Sequence, residues 1–204
     1  TFDPFDSSSE VLTDDILNRK REDNHRYLGL YYRMQCPENG TVVLNAKNLC
    51  LFYWYVIKEL MIANHSFSTV LLKDICDRVI KKTLYHELFH HYTDFNRSFN
   101  KNVKYKFLIE EALAVAFSRI YLGHETTGSG LTTDFFKIAY KYRGLGYRDW
   151  VHYQNENNFL DELIKYSGFE MNCLNNPDID SLKTISQLYL ESVAQNPKVN
   201  IEIE

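Results

Sequence analysis

The chain has no C-x-x-C pair, although it carries four cysteines at 36, 50, 76 and 173. A cysteine-built zinc site is therefore excluded as the simple reading. It has no excess of positive charge. The net charge is −4 and the pI about 6.0, so no nucleic-acid footprint is expected. It has no run of roughly 18 apolar residues, so no membrane span is expected. The most apolar run, LCLFYWYVI at 49–57, ends at Lys58 and Glu59. It has only 4 prolines and 8 glycines, too few for a low-complexity or linker-rich chain. No internal repeat is present.

What remains is ordinary globular composition: 204 residues, 45% hydrophobic and 25% charged. One domain over 1–204 is the simplest organisation, with an irregular arm at 1–8. Cys50 and Cys76 sit in apolar helical patterns and read as buried thiols. Cys36 and Cys173 fall in loops and could pair. Cysteine usage favours a reducing, cytoplasmic compartment. The basic runs NRKRED (18–23) and Lys81-Lys82 read as solvated helix faces.

Asn39-Gly40 between two β-favouring runs predicts a hairpin with strands 27–34 and 41–46. Elsewhere the periodicity is helical. Helices are expected over 9–21, 48–63, 68–95, 105–123, 132–144, 157–167 and 180–194. The second of these is apolar nearly all round and so expected to be central. Ser68 is placed to cap the third, and Gly123 to close the fourth. The expectation is an α+β fold, mostly helical, with a small antiparallel sheet.

The chain holds seven histidines, and three of them fall in LYHELFHHYTDF, 84–95. His86 and His90 are four apart, so on a helix both imidazoles share one face. That spacing lets both bind one tetrahedral zinc, with Glu87 beside the remaining coordination position as the base that takes a proton from water. The alternative is an ordinary helix with two partly exposed histidines. His91, one residue on, is turned about 100° away and reads as a packing or solvent-facing residue. A third ligand is needed. The chain after His90 reads HYTDFNR and lacks H-x-x-G-x-x-H. The remaining source is a carboxylate on a later helix. LIEEALAVAF, 108–117, offers Glu110 and Glu111 in an otherwise apolar stretch, where an uncompensated carboxylate is costly.

These two segments resemble those of thermolysin-like zinc peptidases. HELFHHYTDF is similar to their H-E-L-x-H-x-x-T-D-[YF] segment, and IEEALAVAF to the helix that carries their glutamate ligand. The likeness covers 84–95 and 108–117 alone, and by size a compact gluzincin such as the ImmA/IrrE-like peptidases is the closer match. The resemblance implies a zincin-like fold and one zinc per chain on His86, His90 and Glu111. It leaves Glu110 lining the cleft. It also implies a peptide or protein substrate lying extended along an edge strand, for which 41–46 is the candidate. A transition-state donor is implied from the segment after the glutamate helix. Tyr140, Tyr142, Tyr147, His152 and Tyr153 are the choices, and His152 is favoured. The family's aspartate four residues after the ligand glutamate is here Val115. Asp94 is then a candidate to hold a ligand histidine. The expected function is zinc-dependent peptide hydrolysis. The alternatives are a regulatory peptidase with one protein target and a catalytically silent zinc-binding interaction module.

Overall fold

The computed structural model describes residues 27–32, 40–99, 106–124, 130–141, 146–167 and 200–204. The arm at 1–8, the expected helices 9–21 and 180–194, and Cys36 and Cys173 lie outside the described residues.

The two strands expected either side of Asn39-Gly40 form and pair; Asn39 itself lies outside the described residues. Strands β1 (Gly29–Tyr32) and β2 (Thr41–Leu44) pair antiparallel, with Gly29 opposite Leu44 and Tyr32 opposite Thr41. A third strand, β3 (Asn200–Ile203), was not expected, and it joins β2 in parallel. The sheet is therefore mixed, in the order β1-β2-β3, and not purely antiparallel. It also means that β2 is the central strand. The expectation that 41–46 offers an open edge is overturned, because both of its edges are occupied. β3 is held through its backbone: Ala46 N donates to Glu204 O (2.7 Å) and Glu204 N to Leu44 O (3.0 Å). The side chains of Ile201, Glu202 and Ile203 stay exposed. The alternation of NIEI is compatible with a strand, but a four-residue segment is too short to name its partner.

Helix α1 (Ala46–Ile62) starts at Asn45, whose side chain accepts from Asn48 N at 2.9 Å, a standard N-cap. One face, with Leu49, Phe52, Val56, Ile57 and Leu60, is buried. The other exposes Trp54, Met61 and Ile62, so the helix is not central despite its apolar sequence. Cys50 and Cys76 are both exposed, against expectation, because each falls on the outer face of its helix.

Helix α2 (Thr69–Phe99) is 31 residues long. Ser68 Oγ caps it by accepting from Leu71 N at 3.2 Å. Helix α3 (Phe107–His124) packs along α2, and every residue from Glu110 to Ser118 is buried. Gly123 lies in its last turn. Helix α4 (Gly130–Ala139) is shorter than the sequence suggested. Next come an unexpected 3-10 helix (Tyr147–Tyr153) and α5 (Glu156–Ser167). Gly146 takes a φ of 82°, open to glycine at no steric cost, and turns the chain sharply into the 3-10 helix. A Cβ there would stand 3.2 Å from the Leu108 backbone, so the turn lies against the start of α3.

Two hydrophobic clusters flank α2. One joins Val42 and Leu44 of β2 to α1, Ile75 and Val79 of α2, and Phe135 of α4. The other joins Phe89 of α2 to Leu113 and Phe117 of α3 and to Phe159, Leu160 and Leu163 of α5. Truncating a fully buried member such as Leu113 to alanine costs about 2–5 kcal/mol. The H-E-x-x-H turn of α2 lies between the clusters, and both fix its rotation. The fold is α+β: mostly helical, with a small three-stranded sheet.

Candidate metal centre

His86 and His90 project from one face of α2 towards α3, as their spacing dictates. Their Nε2 atoms lie 3.2 Å apart. Glu111 meets both: Oε2 is 3.2 Å from His86 Nε2, and Oε1 is 3.4 Å from His90 Nε2. An ion bound tetrahedrally at about 2.0–2.1 Å sets its ligand atoms about 3.3 Å apart. The two imidazoles meet that spacing with each other, and each meets it with one oxygen of the Glu111 carboxylate. No other His/Cys/Asp/Glu group among the described residues converges in this way.

The chemistry of the donor set fits a cation as well. Two imidazole nitrogens facing each other at 3.2 Å need a proton or a metal between their lone pairs. Glu111 Oε2 is buried and makes no well-aligned hydrogen bond despite its nearness to His86. Of the possible third ligands, Glu111 is the one that reaches the pair.

Glu110 faces elsewhere. Its Oε1 lies 2.9 Å from His90 Nδ1, which donates to it. This contact fixes the ring's orientation and turns Nε2 towards Glu111. Its Oε2 accepts from the Tyr166 hydroxyl of α5. Glu110 is therefore behind the His90 ring, buried, and not lining a cleft as expected. Adjacent residues on a helix point about 100° apart, so α3 presents one carboxylate to the imidazole tips and the other to the ring behind. Asp94, the candidate partner for His86 or His90, meets Tyr31. It accepts from the Tyr31 hydroxyl at 3.1 Å, and that hydroxyl is also 3.4 Å from His91 Nδ1. His91 is buried, its ring edge-on to Tyr31. This cluster ties β1 to α2.

The electrostatics follow the geometry. Burial pushes the His90 imidazole down, but the Glu111 charge and the contacts to Glu110 and Glu111 outweigh it, and it ends well above its usual range. Burial raises Glu111, yet the His90 charge and both histidine contacts win, and its carboxylate is held well below the usual range. Glu87 is buried beside them. Burial raises its carboxyl, and the charges of His86, His90 and Lys82 only partly offset that.

Four further residues shape the site; Tyr147 was among the candidate donors in the sequence, and the other three escaped the sequence reading. Gly29 of β1 runs against Glu87: a Cβ there would lie 2.9 Å from Glu87 Cγ and 2.7 Å from Thr83 Cγ2. Tyr147 lies flat on His86, with ring centroids 5.9 Å apart and an interplanar angle of 15°. His86 Nδ1 is buried without a hydrogen-bond partner, so on that side of the ring packing takes the place of a polar contact. Tyr166 is the third. Lys82 is the fourth, and it is not on a solvated face. It is buried, its Nζ 5.2 Å from the Phe52 ring centroid and 5.5 Å from that of Tyr140. Its pKa is lowered to about 7 by burial, against the pull of Glu87. The doublet Lys81-Lys82 hid this, because only Lys81 stays outside, paired with Asp77 at 3.2 Å.

His152 is exposed and its ring meets Tyr153. Five residues along a 3-10 helix do not return to the same side, so Tyr147 takes the place beside the histidines and His152 does not.

Comparison with protein-family models, with curated proteins and with solved structures gives no match for this chain.

Proposed function

We propose that the chain is a zinc-dependent peptidase of the gluzincin type, with a zincin-like arrangement of its active-site helix. The observation that carries this reading is the triangle of His86 Nε2, His90 Nε2 and the Glu111 carboxylate, at 3.2–3.4 Å, with the buried Glu87 adjoining it. One zinc held by these three residues would supply Lewis acidity for a peptide carbonyl and lower the pKa of water.

The chain's own residues supply the rest. Glu87, with its carboxyl raised by burial, is suited to accept a proton from water and return it to the leaving amine. Glu110 holds His90 in the tautomer that keeps Nε2 a ligand. Tyr147, whose ring is parallel to that of His86, is the tyrosine we assign to donate a hydrogen bond to charge that develops on the substrate oxygen. Substrate positioning falls to β1, an outer strand among the described residues. Asn45 N donates to Leu28 O at 2.9 Å, so Leu28, Leu30 and Tyr32 turn their backbone groups towards β2. Gly29 and Tyr31 turn theirs away from β2. An extended peptide added there would lie beside Glu87, because Gly29 already touches it.

The test is cleavage of a peptide library by zinc-loaded protein and by Glu87→Ala, with zinc content measured in both. Cleavage by wild type alone, at equal zinc content, supports the enzyme. Identical behaviour of the two sinks it and leaves a zinc-binding interaction module.

A further inference from the structure

We propose that Tyr166, in the last turn of α5, is a positioning residue for the metal centre and acts on His90 through Glu110. This rests on the zinc reading above. The side-chain path is continuous: the Tyr166 hydroxyl donates to Glu110 Oε2, and Glu110 Oε1 accepts from His90 Nδ1 at 2.9 Å. Tyr166 and Glu110 are both buried and stand 56 residues apart in the chain. A carboxylate held at one oxygen alone can rotate about its last torsion. Held at both oxygens, by partners on two different elements, its plane is fixed, and so is the direction in which it draws His90 Nδ1–H.

The position of the hydroxyl is itself set by packing. Phe159, Leu160 and Leu163 seat α5 against Phe89, Leu113 and Phe117, which belong to the two helices that carry the ligands. Docking of α5 and orientation of His90 are thereby linked. Linkage is reciprocal. Zinc that locks His90 must also tighten the seat of α5, and loosening α5 must weaken zinc. A bare structural role, in which the hydroxyl only satisfies a buried carboxylate, predicts neither effect.

The experiment measures the zinc Kd by chelator competition in wild type, Tyr166→Phe, Glu110→Ala and the double variant. Tyr166→Phe is expected to weaken zinc about 3- to 30-fold, the range for losing one hydrogen bond to a charged group that orients a ligand. In the Glu110→Ala background the same change is expected to do nothing further. An unchanged Kd in Tyr166→Phe, or an equal loss in both backgrounds, overturns the proposal. Hydrogen exchange on the wild-type protein gives a measurement that needs no variant. Zinc is expected to slow exchange in the last turn of α5, and unaltered exchange there counts against the linkage. Absence of stoichiometric zinc in wild type would remove the metal reading together with this one. Zinc binding with an indifferent Tyr166 removes this one alone.

Discussion

Nδ1 of His90 donates to Glu110 while Nε2 of the same ring faces Glu111, so two adjacent glutamates grip one imidazole from opposite ends. The two carboxylates are equally buried on α3, yet they do different work. Glu111→Ala should abolish stoichiometric zinc binding, weakening it by more than about 100-fold. Glu110→Gln should retain zinc and weaken it about 10- to 100-fold. Chelator competition separates the two, and the opposite ranking would make Glu110 the ligand.

The raised pKa of His90 couples zinc to protons. Without metal, the folded protein favours the imidazolium beside Glu111. That contribution to stability is fully present below the unfolded pKa near 6.5 and is lost as pH rises through the higher folded value. Zinc must displace the same proton. Its affinity should therefore rise with pH across that window, with release of about one proton per zinc near neutrality. Titration calorimetry in buffers of different ionisation enthalpy measures this number directly.

Gly29 has no room for a side chain. In Gly29→Ala the new methyl would meet Glu87 Cγ at 2.9 Å and Thr83 Cγ2 at 2.7 Å. Either β1 or Glu87 must shift, at a cost of about 1–3 kcal/mol. Zinc affinity should change little, since no ligand is touched, while peptide turnover falls at least about tenfold through the displaced base. A variant with full turnover would mean that β1 and Glu87 do not cooperate.

Lys82 sets an alkaline branch in the stability profile. Its folded pKa of about 7 lies below the usual value of 10.5. Below pH 7 the group is protonated in both states. Between about 7 and 10.5 the unfolded chain holds a proton that the folded protein lacks, so unfolding becomes harder as pH rises. Urea midpoints for the metal-free protein should climb over that interval. Lys82→Met, which fills the space between Phe52 and Tyr140 without a charge, should flatten the climb.

Tyr147 and His152 share one short helix and should respond differently. Tyr147→Phe keeps the ring over His86 and should leave zinc in place while slowing turnover about 10- to 100-fold, as expected for losing a single transition-state donor. Tyr147→Ala should weaken zinc as well, because the ring is what covers His86. His152→Ala should be close to neutral in both assays, its side chain being exposed.

By itself the sequence determined whatever is local. Four-residue spacing put His86 and His90 on one face of α2, with Glu87 between them, because helical periodicity allows no other placement. The β-favouring runs either side of Asn39-Gly40 marked β1 and β2, and Ser68 the start of α2, for equally local reasons. The paired acids in an apolar helix signalled a compensating partner. Which of them faces the imidazole tips is another matter. Glu110 and Glu111 differ by about 100° of rotation, and only the packing of α3 between α2 and α5 decides which angle points at His86. The same holds for Lys82, which burial turned from a surface charge into a buried one. It holds for β3, whose alternation fits a strand but does not say that it pairs with β2. Tyr147, Tyr166 and Gly29 come from three different elements, each more than 50 residues in the chain from His90. No spacing rule connects residues that meet only when the two hydrophobic clusters close around α2.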